Sequence, residues 1–164
     1  MKNVALALNP NGCLEVQGAA TGETYWPEPG PHLSHGCFRT SDLAELRDGL
    51  VFLRGRASDQ INVAGRKVSP ESVERELLTH AAVSDCLVFG VPSAHDGRGE
   101  DIVAFVVPAA RLTEEMLRDW LHDRLPSWQM PREWHFVETL MANQRGKISR
   151  AEWREKHLNG KTAG

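Results

Sequence analysis

The sequence predicts an α+β fold, a small sheet with packed helices that follows a separate β-rich segment. Three observations carry this. The first third holds short apolar runs broken by turn signals. Helix-start signals then appear at Ser69 and Thr113, and β-rich runs lie between the helices.

In order along the chain, residues 4–8 and 13–16 are apolar runs flanking Asn9-Pro10-Asn11-Gly12, which is hairpin chemistry. Residues 22–36 contain Gly22, Pro27, Pro29, Gly30, Pro31 and Gly36, have no period of their own and read as a loop. Residues 43–46 and 50–53 flank Arg47-Asp48-Gly49, a second hairpin signal. Ser69-Pro70-Glu71 is a helix start: a hydroxyl N-cap, a proline where no N–H is needed, and an acid at the positive helix end. Val73, Leu77 and Leu78 continue it at helical spacing as far as His80. Residues 83–91 and 102–107 are β-rich and are separated by a charged, glycine-containing loop. Thr113 caps a second helix with Met116, Leu117, Trp120 and Leu121 on one face. Residues 133–137 form a short strand, and Ser149 with Glu152 has the spacing of a capping box for a last helix. Trp120, Leu121, Trp128 and Trp134 read as core. The boundary falls within residues 56–60. Residues 1–57 are then the β-rich piece, 58–158 a domain able to close its own core, and 159–164 a tail.

Composition removes several function classes. The chain has 164 residues, 41% of them hydrophobic, and a net charge of −3, so bulk charge points to no nucleic-acid partner. The longest apolar stretch, 86–91, is too short for a membrane span. Cys13, Cys37 and Cys86 are scattered and odd in number, which argues against a zinc site or a disulfide framework and makes a reducing cytoplasm the expected compartment. The histidines do not cluster in sequence; His32 and His35 share a loop with no third ligand. Ser41-Asp42 has no histidine partner placed by any motif, so a hydrolase triad is unsupported.

Two segments are candidates for chemistry. Residues 55–70 alternate polar and β-branched side chains around Gly65, which permits a tight turn or a close backbone approach to a ligand. The competing reading is a hairpin turn with solvated basic residues. In Arg145-Gly146-Lys147 a loop lysine is free to place a point charge on a phosphate or carboxylate oxygen. The competing reading is one exposed lysine on a basic tail with Arg145, Arg150, Arg154 and Lys156. No Gly-rich run precedes that lysine and no Ser/Thr directly follows it, so it is not a phosphate loop.

Taken together, these segments resemble the adenylate-forming family of acyl-CoA synthetases, aryl-CoA ligases, luciferases and peptide-synthetase adenylation domains. Gly36-Cys37-Phe38-Arg39-Thr40-Ser41-Asp42-Leu43 is similar to that family's G-W-F-x-T-G-D-L, and Gly49-Leu50-Val51-Phe52-Leu53-Arg54-Gly55-Arg56 to its G-Y-x-x-x-x-G-R. Residues 61–74 resemble I-x-V-x-G-x-K-V-x-P-x-x-V-E, residues 77–92 resemble L-L-x-H-P-x-V-x-x-x-x-V-x-G-V-P, and residues 131–147 resemble P-x-x-x-x-F-V-x-x-L-P-x-x-x-x-G-K. The five stretches come in family order with the family's spacing.

The resemblance implies a C-terminal mobile lid domain preceded by the last piece of a large-domain β-barrel. It implies a parent enzyme that joins a carboxylic acid to CoA, with ATP and Mg consumed as AMP and pyrophosphate. By position, Asp42 and Arg56 match residues that reach the adenylate ribose, Ser58 the hinge, Ala64 and Gly65 the pantetheine channel, and Lys147 the lysine of the adenylation step. Ser41, Met141 and Arg145 depart from the family pattern. The family's phosphate loop, ATP site and acyl pocket are expected upstream of position 1. The expected partner is therefore a large N-terminal domain, in cis or as a separate subunit, and neither ATP nor CoA is expected to bind this chain tightly alone. Val68-Ser69-Pro70-Glu71 resembles the CoA-ligase form of its segment, which favours CoA over a carrier protein as acceptor. The alternative function is a non-catalytic, stand-alone lid that binds a separate large subunit or a carrier protein.

Overall fold

The computed structural model describes residues 3–95, 97–143 and 146–162. The chain forms two compact units that divide between Ser58 and Asp59.

The first unit is all β. Strands β1 (Val4–Leu8) and β2 (Cys13–Gly18) pair antiparallel around the Asn9 turn, where the Asn9 side chain accepts from the amides of Asn11 and Cys13. The Gly/Pro-rich loop contains one two-residue strand, β3 (Leu33–Ser34). Strand β4 (Cys37–Arg47) is longer than the apolar run at 43–46 indicates, because its first half is held between β2 and β3 by backbone pairing that needs no apolar side chains. β5 (Leu50–Arg56) returns antiparallel from Asp48-Gly49, both at positive φ (53° and 74°), the mirror-type turn whose twist suits a two-residue hairpin.

The second unit is a layered α+β fold. A hairpin of β6 (Ile61–Val63) and β7 (Arg66–Val68) leads into α1 (Pro70–Leu78). Then come β8 (Val83–Pro92), β9 (Glu100–Pro108), α2 (Glu114–His122), β10 (Glu133–Phe136) and α3 (Arg150–Thr162). The sheet order is β10-β9-β8, with β8 antiparallel and β10 parallel to β9. Both faces of this sheet are covered, which is why β8 and β9 read as continuous apolar runs and not as alternating ones. Val88, Ile102, Ala104 and Val106 pack with α1, α2 and the β6–β7 hairpin. Leu87, Phe89, Val103 and Phe105 face Trp153 and Leu158 of α3.

The helix ends differ from expectation in particulars. Ser69 is the N-cap of α1, but its hydroxyl donates to the Glu71 carboxylate (2.6 Å) and caps no amide. Thr113 caps α2 as expected, accepting from the Met116 amide. Met116 itself is exposed, and the buried face of α2 is Leu117 and Leu121. At α3 the Glu152 amide donates to Ser149 Oγ (3.4 Å), while the Glu152 carboxylate accepts from the Asn143 side-chain Nδ2, so only half of the capping box is made. α3 runs on through Gly160, and residues 159–162, expected as part of a tail, are its last turn.

Gly90 has a packing role. A Cβ there would lie 2.7 Å from Ile61 Cγ2, in the core where β6 crosses β8, and 3.0 Å from the Glu100 carboxylate. Gly90→Ala is expected to lower unfolding stability by about 1–3 kcal/mol through overpacking, read as a reduced urea midpoint at unchanged slope.

Candidate functional site

In the first unit the structure brings two of the expected residues together. β4–β5 pairing sets Asp42 opposite Arg56, and the guanidinium Nε lies 3.3 Å from Asp42 Oδ1. Thr40 Oγ1 accepts from the Asp42 amide, which fixes the backbone of the acid. The ion pair is open to solvent, so it contributes little to stability and leaves the carboxylate able to accept from the hydroxyls of a diol. Ser58 lies in the 3-10 turn Ala57–Asp59 and is exposed.

In the second unit, Ala64 and Gly65 are the two central residues of the β6–β7 turn, at φ 51° and 80°. The Ala64 amide donates to the Arg98 carbonyl (2.6 Å), and Val63 bridges Gly99, which seats the hairpin on the loop before β9. A Cβ at Gly65 would meet nothing within 4 Å. The glycine is therefore required locally only by its positive φ, and its outer side is open to an approaching molecule.

Lys147 is held by backbone and not by packing. Its carbonyl accepts from the Asn143 amide (2.8 Å), its amide donates to Asn143 Oδ1 (3.1 Å), and Gly146, at φ 71°, donates to the Asn143 carbonyl. The side chain is exposed and enters no ion pair among the described residues. Arg145, the neighbouring departure from the family pattern, lies outside the described residues.

Reading Arg150 and Arg154 as part of a solvated basic tail fails. Arg150 Nε donates to the Val88 carbonyl (3.1 Å), and its terminal nitrogens reach Asp59 (3.2 Å), Glu71 (2.8 Å) and Glu74 (2.6 Å). Arg154 Nε donates to the Gly90 carbonyl (2.7 Å). Four residues of helix rise about 6.0 Å and two residues of strand about 6.6 Å, so an i, i+4 arginine pair matches two successive outward carbonyls of a strand edge. Glu74 accepts from the Val88 amide (2.8 Å), so side chains also satisfy the donor side of that edge. Burial pushes the Glu74 carboxyl above its ordinary range, although Arg150 opposes this. Burial also works against the Arg150 cation, but the carboxylates of Glu74 and Glu71 outweigh it, and its pKa is raised. The consequence is positional: Arg150 ties the residues that follow Lys147 to Asp59 and to α1.

A cavity of about 490 Å³ is lined by Arg98, Arg118, Trp128, Met130 and Arg132. Asp101 pairs with Arg98 and Arg132, and Glu114 with Arg118, so three guanidinium groups face two carboxylates. Net positive charge beside an indole suits an anionic ligand with a flat ring.

Against this geometry, residues 72–147 match the family described as AMP-binding enzyme C-terminal domain. Residues 72–147 belong to that family, and the chain resembles adenylate-forming enzymes over most of its length. It is 34% identical to the mitochondrial malonate–CoA ligase of Mus musculus over 86% of this chain and 25% of that one. It is 35% identical to the probable 2-succinylbenzoate–CoA ligase of Mycobacterium tuberculosis over 92% of this chain and 41% of that one. Among solved structures, the amide bond synthetase McbA of Marinactinospora thermotolerans superposes with a TM-score of 0.85 at 27% identity, over 95% of this chain and 34% of that one. The chain thus spans well under half the length of these relatives. No helix among the described residues is long and apolar enough to cross a membrane.

Proposed function

We propose that this chain is the C-terminal catalytic portion of an AMP-forming acyl- or aryl-CoA ligase, working with a large N-terminal portion that supplies the ATP and carboxylate sites. In the first step the carboxylic acid attacks the α-phosphorus of Mg-bound ATP, giving acyl-adenylate and pyrophosphate. In the second the CoA sulfur attacks the acyl carbon, and AMP leaves.

Lys147 serves the first step. Two anions approach one another there, and a cation fixed by its backbone stabilises the charge that develops between them. Gly65 serves the second step, its open turn giving pantetheine a path that any side chain would narrow. Asp42 and Arg56 hold the ribose hydroxyls of the adenylate. Rotation near Ser58 exchanges the two working faces. A reducing cytoplasm fits three cysteines that are scattered in sequence and odd in number.

The observation that carries the reading is the form of the two loops: each is set by backbone hydrogen bonds and offers solvent one feature, a cation at Lys147 and a missing side chain at Gly65. The arginine-lined cavity favours CoA, whose nucleotide end is polyanionic and aromatic, over a carrier protein.

The full-length protein, incubated with ATP, magnesium, CoA and a panel including malonate and 2-succinylbenzoate, is expected to release AMP and pyrophosphate and to form a thioester with at least one acid. Release of ADP, or acid-dependent AMP release with no CoA thioester for any acid, would overturn this reading.

A further inference from the structure

The histidines, scattered in sequence, are not scattered in the fold. Glu133 and His135 alternate on β10, opposite Val103 and Phe105 of β9, and so point to the face that α3 covers. His157 of α3 meets them there. His135 Nε2 lies 2.7 Å and His157 Nε2 3.3 Å from the same carboxylate oxygen, Glu133 Oε1. The ligand atoms of all three lie within 4.8 Å of one another. His157 is almost fully buried, at 6% side-chain exposure, whereas His135 and Glu133 keep an opening to solvent. The rings cannot turn freely: His135 stacks on Phe105 (centroids 4.5 Å apart), and His157 is wedged edge-on against Phe89, Phe105 and His135.

We propose that Glu133, His135 and His157 form a binding site for a divalent transition-metal ion of the zinc class. Two imidazoles and one carboxylate are a donor set that zinc accepts, with water completing the shell. A tetrahedral ion with bonds of about 2.0–2.1 Å needs donors roughly 3.4 Å apart. The His157–Glu133 separation is already close to this. The His135–Glu133 separation must open by about 0.7 Å, from a hydrogen bond to joint coordination. Donors two residues apart on one strand, with the third from a facing helix, need only side-chain adjustment. The bound ion would cross-link β10 to α3, the two elements that flank the segment carrying Lys147. None of the three is among the residues assigned to the ligase chemistry.

The test uses the chain itself, stripped with chelator and titrated with Zn²⁺ by calorimetry and with Co²⁺ by visible absorption. One-to-one binding in the micromolar range is expected, with intense Co²⁺ bands of low coordination number and a raised thermal midpoint. His135→Gln, at the solvent-facing donor, and Glu133→Gln are each expected to weaken Zn²⁺ roughly tenfold or more, and His157→Gln to do the same if near-ultraviolet dichroism shows it folded. A double His32→Gln, His35→Gln control is expected to bind as the parent does. Saturation only at millimolar Zn²⁺, or titrations unchanged by both His135→Gln and Glu133→Gln, would overturn the site.

Discussion

Lys147→Ala in the full-length enzyme is expected to slow carboxylate-dependent pyrophosphate exchange by about 10²–10³, the usual loss when one fixed group stabilising transition-state charge is removed. The loss should appear in kcat more than in KM, because the cation acts where charge develops and not on substrate already bound. Stability should hardly change: the side chain is exposed, and the turn around it is made by Asn143 and backbone groups that alanine keeps. Asn143→Ala is the complementary variant. It leaves the cation and removes its positioning, so a smaller loss is expected, together with sensitivity of this loop to proteolysis.

Arg150→Ala is expected to cost about 3 kcal/mol of unfolding free energy, the low end of the range for breaking a buried ion pair from one side. Three carboxylates, Asp59, Glu71 and Glu74, lose a shared cation, and the Val88 carbonyl loses its donor. Arg150→Lys should recover only part of this, since one ammonium cannot meet four acceptors spread across a planar fork. The loss should depend on pH in a definite sense. Burial raises the Glu74 carboxyl, and without Arg150 only the hydrogen bond from the Val88 amide opposes that. A carboxyl whose folded pKa is raised favours the folded state when protonated and penalises it as pH rises through that pKa. The deficit of Arg150→Ala relative to the parent should therefore be larger near about pH 8 than near about pH 5, read from urea unfolding at both. A deficit that is constant with pH would place its origin in lost packing and not in charge.

Much of the fold was legible because it rests on local signals. Asp48-Gly49 and Ala64-Gly65 occupy positive-φ turns that glycine marks in any sequence, and Thr113 caps the helix that it announces. The continuous apolar runs of β8 and β9 reflect burial on both faces. The less legible features depend on which elements meet. Ser69 had a nearer partner in Glu71 than an amide, and Met116 fell outside the covered face of α2. Within the candidate site, Asp42 and Arg56 are fourteen positions apart in sequence and become neighbours only through the β4–β5 register, a pairing that the family motifs implied and spacing alone did not. Arg150 and Arg154 looked like a solvated charge run. Their i, i+4 spacing was the available clue, but its meaning required the exposed edge of β8 beside it. His135 and His157 are separated by the whole segment that contains Lys147, and nothing local links them.

The most direct measurement separates the two half-reactions in two variants of the full-length enzyme. Adenylation is followed by pyrophosphate exchange, and thioester formation is followed from acyl-adenylate supplied ready-made. Lys147→Ala is expected to cripple the first and spare the second. Gly65→Leu, whose Cβ meets nothing within 4 Å although the φ of 80° strains it, is expected to spare the first and block the second. Equal damage to both steps in both variants would contradict a domain that presents one face for each step.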